Sequence, residues 1–197
     1  TADNNTAVGH SSLACNTTAS NNVAIGCGTL GANTTGEVNT AVGTASMVTN
    51  TTGFGNTAVG KNSLYTNNGN NNTAVGHEAL ELNTSGANNV AVGRQALEAN
   101  QTGASNVAVG SCALQDNTGS SNTAVGQETL LQNTSGAYNA AFGFEALKNN
   151  TTAQNNSAFG VCALKSNTTG CQNVALGACA LDANVTGNFN VAIGHDT

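Results

Sequence analysis

The phrase Asn22-Val23-Ala24-Ile25-Gly26 returns twelve times along the chain, with copies ending at Gly9, Gly26, Gly43, Gly60, Gly76, Gly93, Gly110, Gly126, Gly143, Gly160, Gly177 and Gly194. The step is 17 residues except into Gly76 and into Gly126, where it is 16. A short fixed period over a whole chain excludes one irregular globular core. It points to a solenoid or an array, in which each repeat buries its apolar side against its neighbours.

Numbering the Asn of each phrase as slot 1 makes the pattern explicit. Slot 1 is Asn, slot 3 Ala and slot 5 Gly in every copy, and slot 4 is always Val, Ile, Leu or Phe. Slot 9 is Leu with a single Met47, and slot 12 is always Asn, opening Asn-Thr-Thr-Gly or Asn-Thr-Ser-Gly in five of its eleven copies. Both shortened repeats lose a residue in that second phrase, around Asn67-Asn68-Gly69 and Asn117-Thr118-Gly119, which marks a surface turn.

Seventeen residues cannot hold a helix and a strand, and no window keeps apolar residues at helical spacing. The expected fold is therefore all-β: a parallel β-solenoid, or β-roll, of about 11–12 coils, continuous over 1–197 and uncapped at both ends. At about 4.8 Å per coil the rod would be about 55 Å long. Slots 1 to 5 read as a short strand ending in a Gly turn. Alternation then puts slots 2 and 4 on one face and slot 3 on the other. The bulky slot 4 is expected to fill the interior. A second extended segment is expected over slots 7 to 10, with its Leu pointing in. Slot 3 would then face outward, where an unvarying Ala calls either for a second chain packed close against it or for a tight corner within its own coil. Asn22, Asn39 and Asn56, with their slot-12 counterparts, are expected to form amide ladders from coil to coil. Gly26, Gly43 and Gly60 would supply turns that a Cβ resists.

Composition limits the partners. Charged residues make up 7% of the chain and the only bases are Lys61, Arg94, Lys148 and Lys165, at a net charge of -6. Nucleic acid and anionic membrane surfaces both need clustered cations and are poor partners on that ground. No apolar run is long enough to insert into a membrane as a helix.

With its copies, Asn22-Val23-Ala24-Ile25-Gly26 resembles the head repeats of trimeric autotransporter adhesins and related surface and tail-fibre repeats. The resemblance covers nearly the whole chain. It implies a β-roll that trimerises and binds host or surface matrix at the cell surface. The coil here, at 17 residues, is longer than the roughly 14 of those heads, and the Asn-Thr-Thr-Gly turn and slot-9 Leu are additions.

Several residues are candidates for chemistry. His10, His77 and His195 share slot 6 but lie in distant coils, so they read as solvated positions. Glu81 and Glu98 stack at slot 10, and Glu128 and Glu145 at slot 7. Such pairs could hold a hard cation, but a solvated, mildly acidic stripe is the favoured reading, and neither a metal nor another cofactor is expected. Cys162 and Cys179 share slot 7 in adjacent coils, within disulfide range, and either a bridge or two stacked free thiols fits. Slot 12 opens an Asn-x-Ser/Thr sequon at Asn16, Asn33, Asn50, Asn83, Asn100, Asn133, Asn150, Asn167 and Asn184. A row of glycans there competes with inward-facing amides, which cannot carry sugar. Catalysis needs dissimilar groups gathered at one place, whereas this chain repeats similar groups along a line.

These readings lead to a non-enzymatic extracellular fibre segment, structural or adhesive, using many weak contacts. Its partners would be itself, as homotrimer or end-to-end filament, and a carbohydrate or other surface ligand. Two alternatives are an ice-binding solenoid built on the slot-13 Thr row (Thr17, Thr34, Thr51, Thr84, Thr134, Thr151, Thr168) and a viral or phage fibre shaft.

Overall fold

The computed structural model describes residues 2–197. It is an all-β parallel solenoid with twelve strands of three residues each: β1 (Thr6–Val8), β2 (Val23–Ile25), β3 (Thr40–Val42), β4 (Thr57–Val59), β5 (Thr73–Val75), β6 (Val90–Val92), β7 (Val107–Val109), β8 (Thr123–Val125), β9 (Ala140–Phe142), β10 (Ser157–Phe159), β11 (Val174–Leu176) and β12 (Val191–Ile193). They form one sheet in chain order. Each pairs in parallel with its neighbour at the same slot, as in Val90↔Val107, Ala91↔Ala108 and Val92↔Val109. The 16-residue steps keep this register, Thr57 standing against Thr73 and Val107 against Thr123. The deletion is absorbed in the turn, as expected.

Side-chain direction along the strand is the reverse of the expectation. The slot-3 Ala side chains, from Ala24 to Ala175, are fully buried, while the slot-4 residues face out, with Val59, Val75 and Val92 each still 37–38% exposed. The reason is volume. The slot-9 side chains, Leu30 through Leu164, are wholly buried and pack with the slot-3 Ala column in one apolar cluster. Asn at slots 1 and 12 takes much of what remains of the cross-section. Opposite a Leu in so thin a coil there is room for a methyl and no more, and interiors pack to solid density. The unvarying Ala thus meets its own coil, and slots 2 and 4 share the outer face.

The expected second strand at slots 7 to 10 is also absent. Two linked turns stand there instead. In the first coil Ser12 N–H donates to Gly9 O at 3.4 Å and Asn16 N–H to Leu13 O at 3.2 Å. Slots 7 and 9 both take the left-handed conformation, as at Ser11 (φ 57°) and Leu13 (φ 50°). The turns still bond from coil to coil, Leu97 N–H reaching Ala113 O at 3.0 Å. Stacking therefore satisfies the backbone without strand geometry.

Slot 5 bears out the reading of its Gly. Its φ runs from 122° to 144°, a region closed to residues with a Cβ. A Cβ at Gly26 would also stand 2.5 Å from the Gly43 carbonyl oxygen in the next coil.

Candidate functional site

The slot-1 and slot-12 amides are structural. Asn106, wholly buried, donates from Nδ2 to Gly119 O at 2.9 Å, while its Oδ1 accepts Asn122 N–H of the next coil at 2.9 Å. Asn22, Asn39 and Asn56 repeat the arrangement, Asn39 N–H donating to Asn22 Oδ1 at 2.9 Å and Asn56 N–H to Asn39 Oδ1 at 3.0 Å. At slot 12, Asn50 Nδ2 donates to Asn33 Oδ1 at 2.9 Å and to Gly53 O at 3.1 Å. Among the described residues no buried side-chain polar atom lacks a partner.

This ladder removes the sequons as glycan sites. Asn33, Asn50, Asn83, Asn100, Asn133, Asn150 and Asn167 are buried, and each of their Nδ2 atoms is already a donor inside the coil. Asn16 and Asn184 are half-buried and use Nδ2 in the same way. A sugar on any of them would break the ladder.

The slot-13 hydroxyls are committed as well. Thr34 Oγ1 donates to Thr51 O at 3.0 Å, Thr84 to Gln101 O at 2.9 Å, and Thr134 to Thr151 O at 3.0 Å. A row expected to face ordered water spends its donors on the neighbouring coil.

Charge gathers where slots 7 and 10 meet on the outside of the turns. In the fifth and sixth coils Glu78, Glu81 and Glu98 bring carboxylate oxygens within 4.8 Å of one another. Each already accepts an amide: Asn62 donates to Glu81 at 3.3 Å, Gln95 to Glu78 at 3.0 Å and Gln115 to Glu98 at 2.6 Å. Burial, then the charges of Glu78 and Glu98, push the Glu81 carboxyl above its ordinary value. Three to five coils further on, slot 10 carries Lys instead. Lys148 Nζ bridges Glu128 and Glu145 at 2.7 Å each, and Lys165 reaches Glu145 at 2.6 Å. Hydrogen bonds from Lys148 and then Lys165 hold Glu145 down at about 2. The sequence shows the Glu81–Glu98 and Glu128–Glu145 stacks. What joins Glu78 and the two lysines to them is the side-by-side placement of slots 7 and 10, which a turn creates and a strand would not.

The histidines stay apart, each exposed, with His77 and His195 beside their own neighbours Glu78 and Asp196. All six cysteines are free thiols, Cys162 and Cys179 included.

The surface left without a role inside the coil is the outer face of the sheet. It is made of slots 2 and 4 of twelve strands, and no position on it carries a charge. Val, Ile, Leu and Phe run unbroken down slot 4, beside a mixed row of Thr, Val, Ala and Ser at slot 2. Phe142 and Phe159 stack in parallel with ring centroids 4.9 Å apart, and slot 6 beside them is also apolar, as exposed Phe144 and Val161. Rings stacked on one another show solvent their edges, so they make a ridge and not a flat platform for a sugar ring. No family model, curated protein or solved structure matches the chain.

Proposed function

We propose that the chain is a non-enzymatic segment of an extracellular or cell-surface fibre, structural or adhesive, and that copies associate side by side through the outer sheet face. The observation that carries this reading is the chargeless outer face along all twelve strands, with its unbroken apolar row at slot 4. Contiguous apolar surface of this kind marks interaction sites. At about 4.8 Å per strand and about 10 Å across three residues, the face covers roughly 500 Å². Two such faces bury about 1,000 Å², the lower bound for a specific interface. One copy therefore matches what another needs, and length along the rod adds contacts in proportion.

Sedimentation of the full chain over a concentration series tests the reading. Association is expected for the wild type, and a monomer for V92K/V109K with its β-sheet circular dichroism unchanged. A wild-type chain that stays monomeric at high concentration would sink it. Electron microscopy of the same samples distinguishes side-by-side bundles from isolated rods.

A further inference from the structure

Cys162 and Cys179 occupy the same slot in successive coils and make the same backbone bonds, Cys162 N–H to Phe144 O and Cys179 N–H to Val161 O, both at 2.9 Å. Their φ values are 58° and 56°, so their Cα–Cβ bonds are near parallel. The strands that lead into them pair in register, Ser157 against Val174. One coil step separates the two by about 4.8 Å, inside the Cα range of bridged cysteines (about 4.4–6.8 Å) and just beyond their usual Cβ range (about 3.5–4.5 Å). Drawing the turns together by a few tenths of an ångström closes the gap.

No other pair is so placed. Cys112 shares slot 7 but lies three coils away from Cys162, about 14 Å. Cys15, Cys27 and Cys171 fall in slots 11, 6 and 16. Both Cys162 and Cys179 are half-buried yet reachable from solvent.

We propose that Cys162 and Cys179 form a redox staple, a dithiol that a small-molecule disulfide such as glutathione disulfide oxidises to an intramolecular disulfide bracing the tenth and eleventh coils. The Cys162 thiolate attacks one sulfur of glutathione disulfide. That S–S bond breaks, one glutathione leaves and a mixed disulfide remains on Cys162. The Cys179 sulfur then attacks the Cys162 Sγ and expels the second glutathione. The two cysteines lose two electrons and two protons, which end on the two glutathiones. Burial, followed by the charge of Asp196, holds the Cys179 thiol up, so the closing attack slows as the pH is lowered. The closed loop spans one coil. It restrains the unfolded chain and fixes the register of the two coils against slippage.

The test is glutathione redox buffer on the full chain, followed by peptide mapping without reduction. Expected is a crosslinked Cys162–Cys179 peptide lighter by two hydrogens, in a sample whose Cys112 carries a glutathione adduct because it has no partner. In Cys179→Ser the adduct should persist on Cys162. The oxidised wild type should melt several degrees higher than the reduced form, a shift that Cys179→Ser abolishes. Adducts on Cys162 and Cys179 in the same proportion as on Cys112, or a crosslink that appears only with loss of the β-sheet signal, would overturn the proposal.

Discussion

On strand β7, Ala108 faces a dry column while Val109, the next residue, lies half-buried on the outer face. The larger side chain is the one outside. The same inversion holds along the rod, so hydrophobicity alone does not sort the residues of this coil. Volume and hydrogen bonding do. Inside stand the slot-3 methyl, a small slot-8 residue (Ala, Ser or Thr), a Leu and two amides per coil, each fitted to the copies above and below. Outside, slots 6, 7, 10 and 11 vary freely because water can replace any neighbour. An interior residue also acts twice, once on each adjacent coil.

Removing an inner amide should break this contrast most severely. Asn106→Leu leaves Asn122 N–H without its acceptor and removes one of two amide donors from Gly119 O, the other being Asn117 Nδ2 at 2.8 Å. A buried group left unsatisfied costs about 1–3 kcal/mol, and the larger, branched side chain adds overpacking. We expect a loss of roughly 3 kcal/mol in urea unfolding. A loss under 1 kcal/mol would mean that water enters the coil and the ladder is not sealed.

The β7 neighbours sharpen the comparison directly. Ala108→Val forces two methyl groups against the Leu column, at about 1–3 kcal/mol. Val109→Ala removes as much volume from the outer face of a monomer and should cost below about 1 kcal/mol. Measured under associating conditions, the second figure should rise, since the face is then covered. Equal costs in the monomer would show that the strand faces both ways.

How far this arrangement was legible follows from the same residues. The period gave the fold class, the strand positions and the amide ladders, because in-register stacking makes every coil a copy of its neighbour. Gly26 and its kin announced a turn that only Gly permits. Alternation correctly paired slot 2 with slot 4. The choice of which face looks inward went wrong, because it was decided on the apolarity of Val92 and not on the space that Leu97 leaves. The second segment was misread because Leu in the left-handed conformation is rare, and nothing local in Ala96-Leu97-Glu98 signals it. Pairing between slots 7 and 10 was hidden for that reason too.

The smallest effects concern those outer slots, where two carboxylate groups should respond to acid in opposite senses. Glu145 titrates in the folded chain at about 2, below the ordinary carboxylate value, through hydrogen bonds from Lys148 and Lys165. The stability it contributes is full above the unfolded value, near 4.5, and is lost as the pH falls toward 2. Glu81 is shifted upward by burial and by its neighbours Glu78 and Glu98. Its ionised form is therefore unfavourable in the fold, and stability is regained as the pH falls through its raised value. Glu145→Gln should lower stability at neutral pH by about 1 kcal/mol, the upper end for a partly exposed ion pair, and flatten the loss below pH 4.5. Glu81→Gln should raise neutral stability slightly and remove part of the gain on mild acidification. Urea midpoints for the wild type and both variants, taken from neutral pH down to about 2, check the signs. If both variants shift neutral stability in the same direction, then the lysines at slot 10 do not distinguish the two clusters, and the outer face of the turns acts as one uniform solvated stripe.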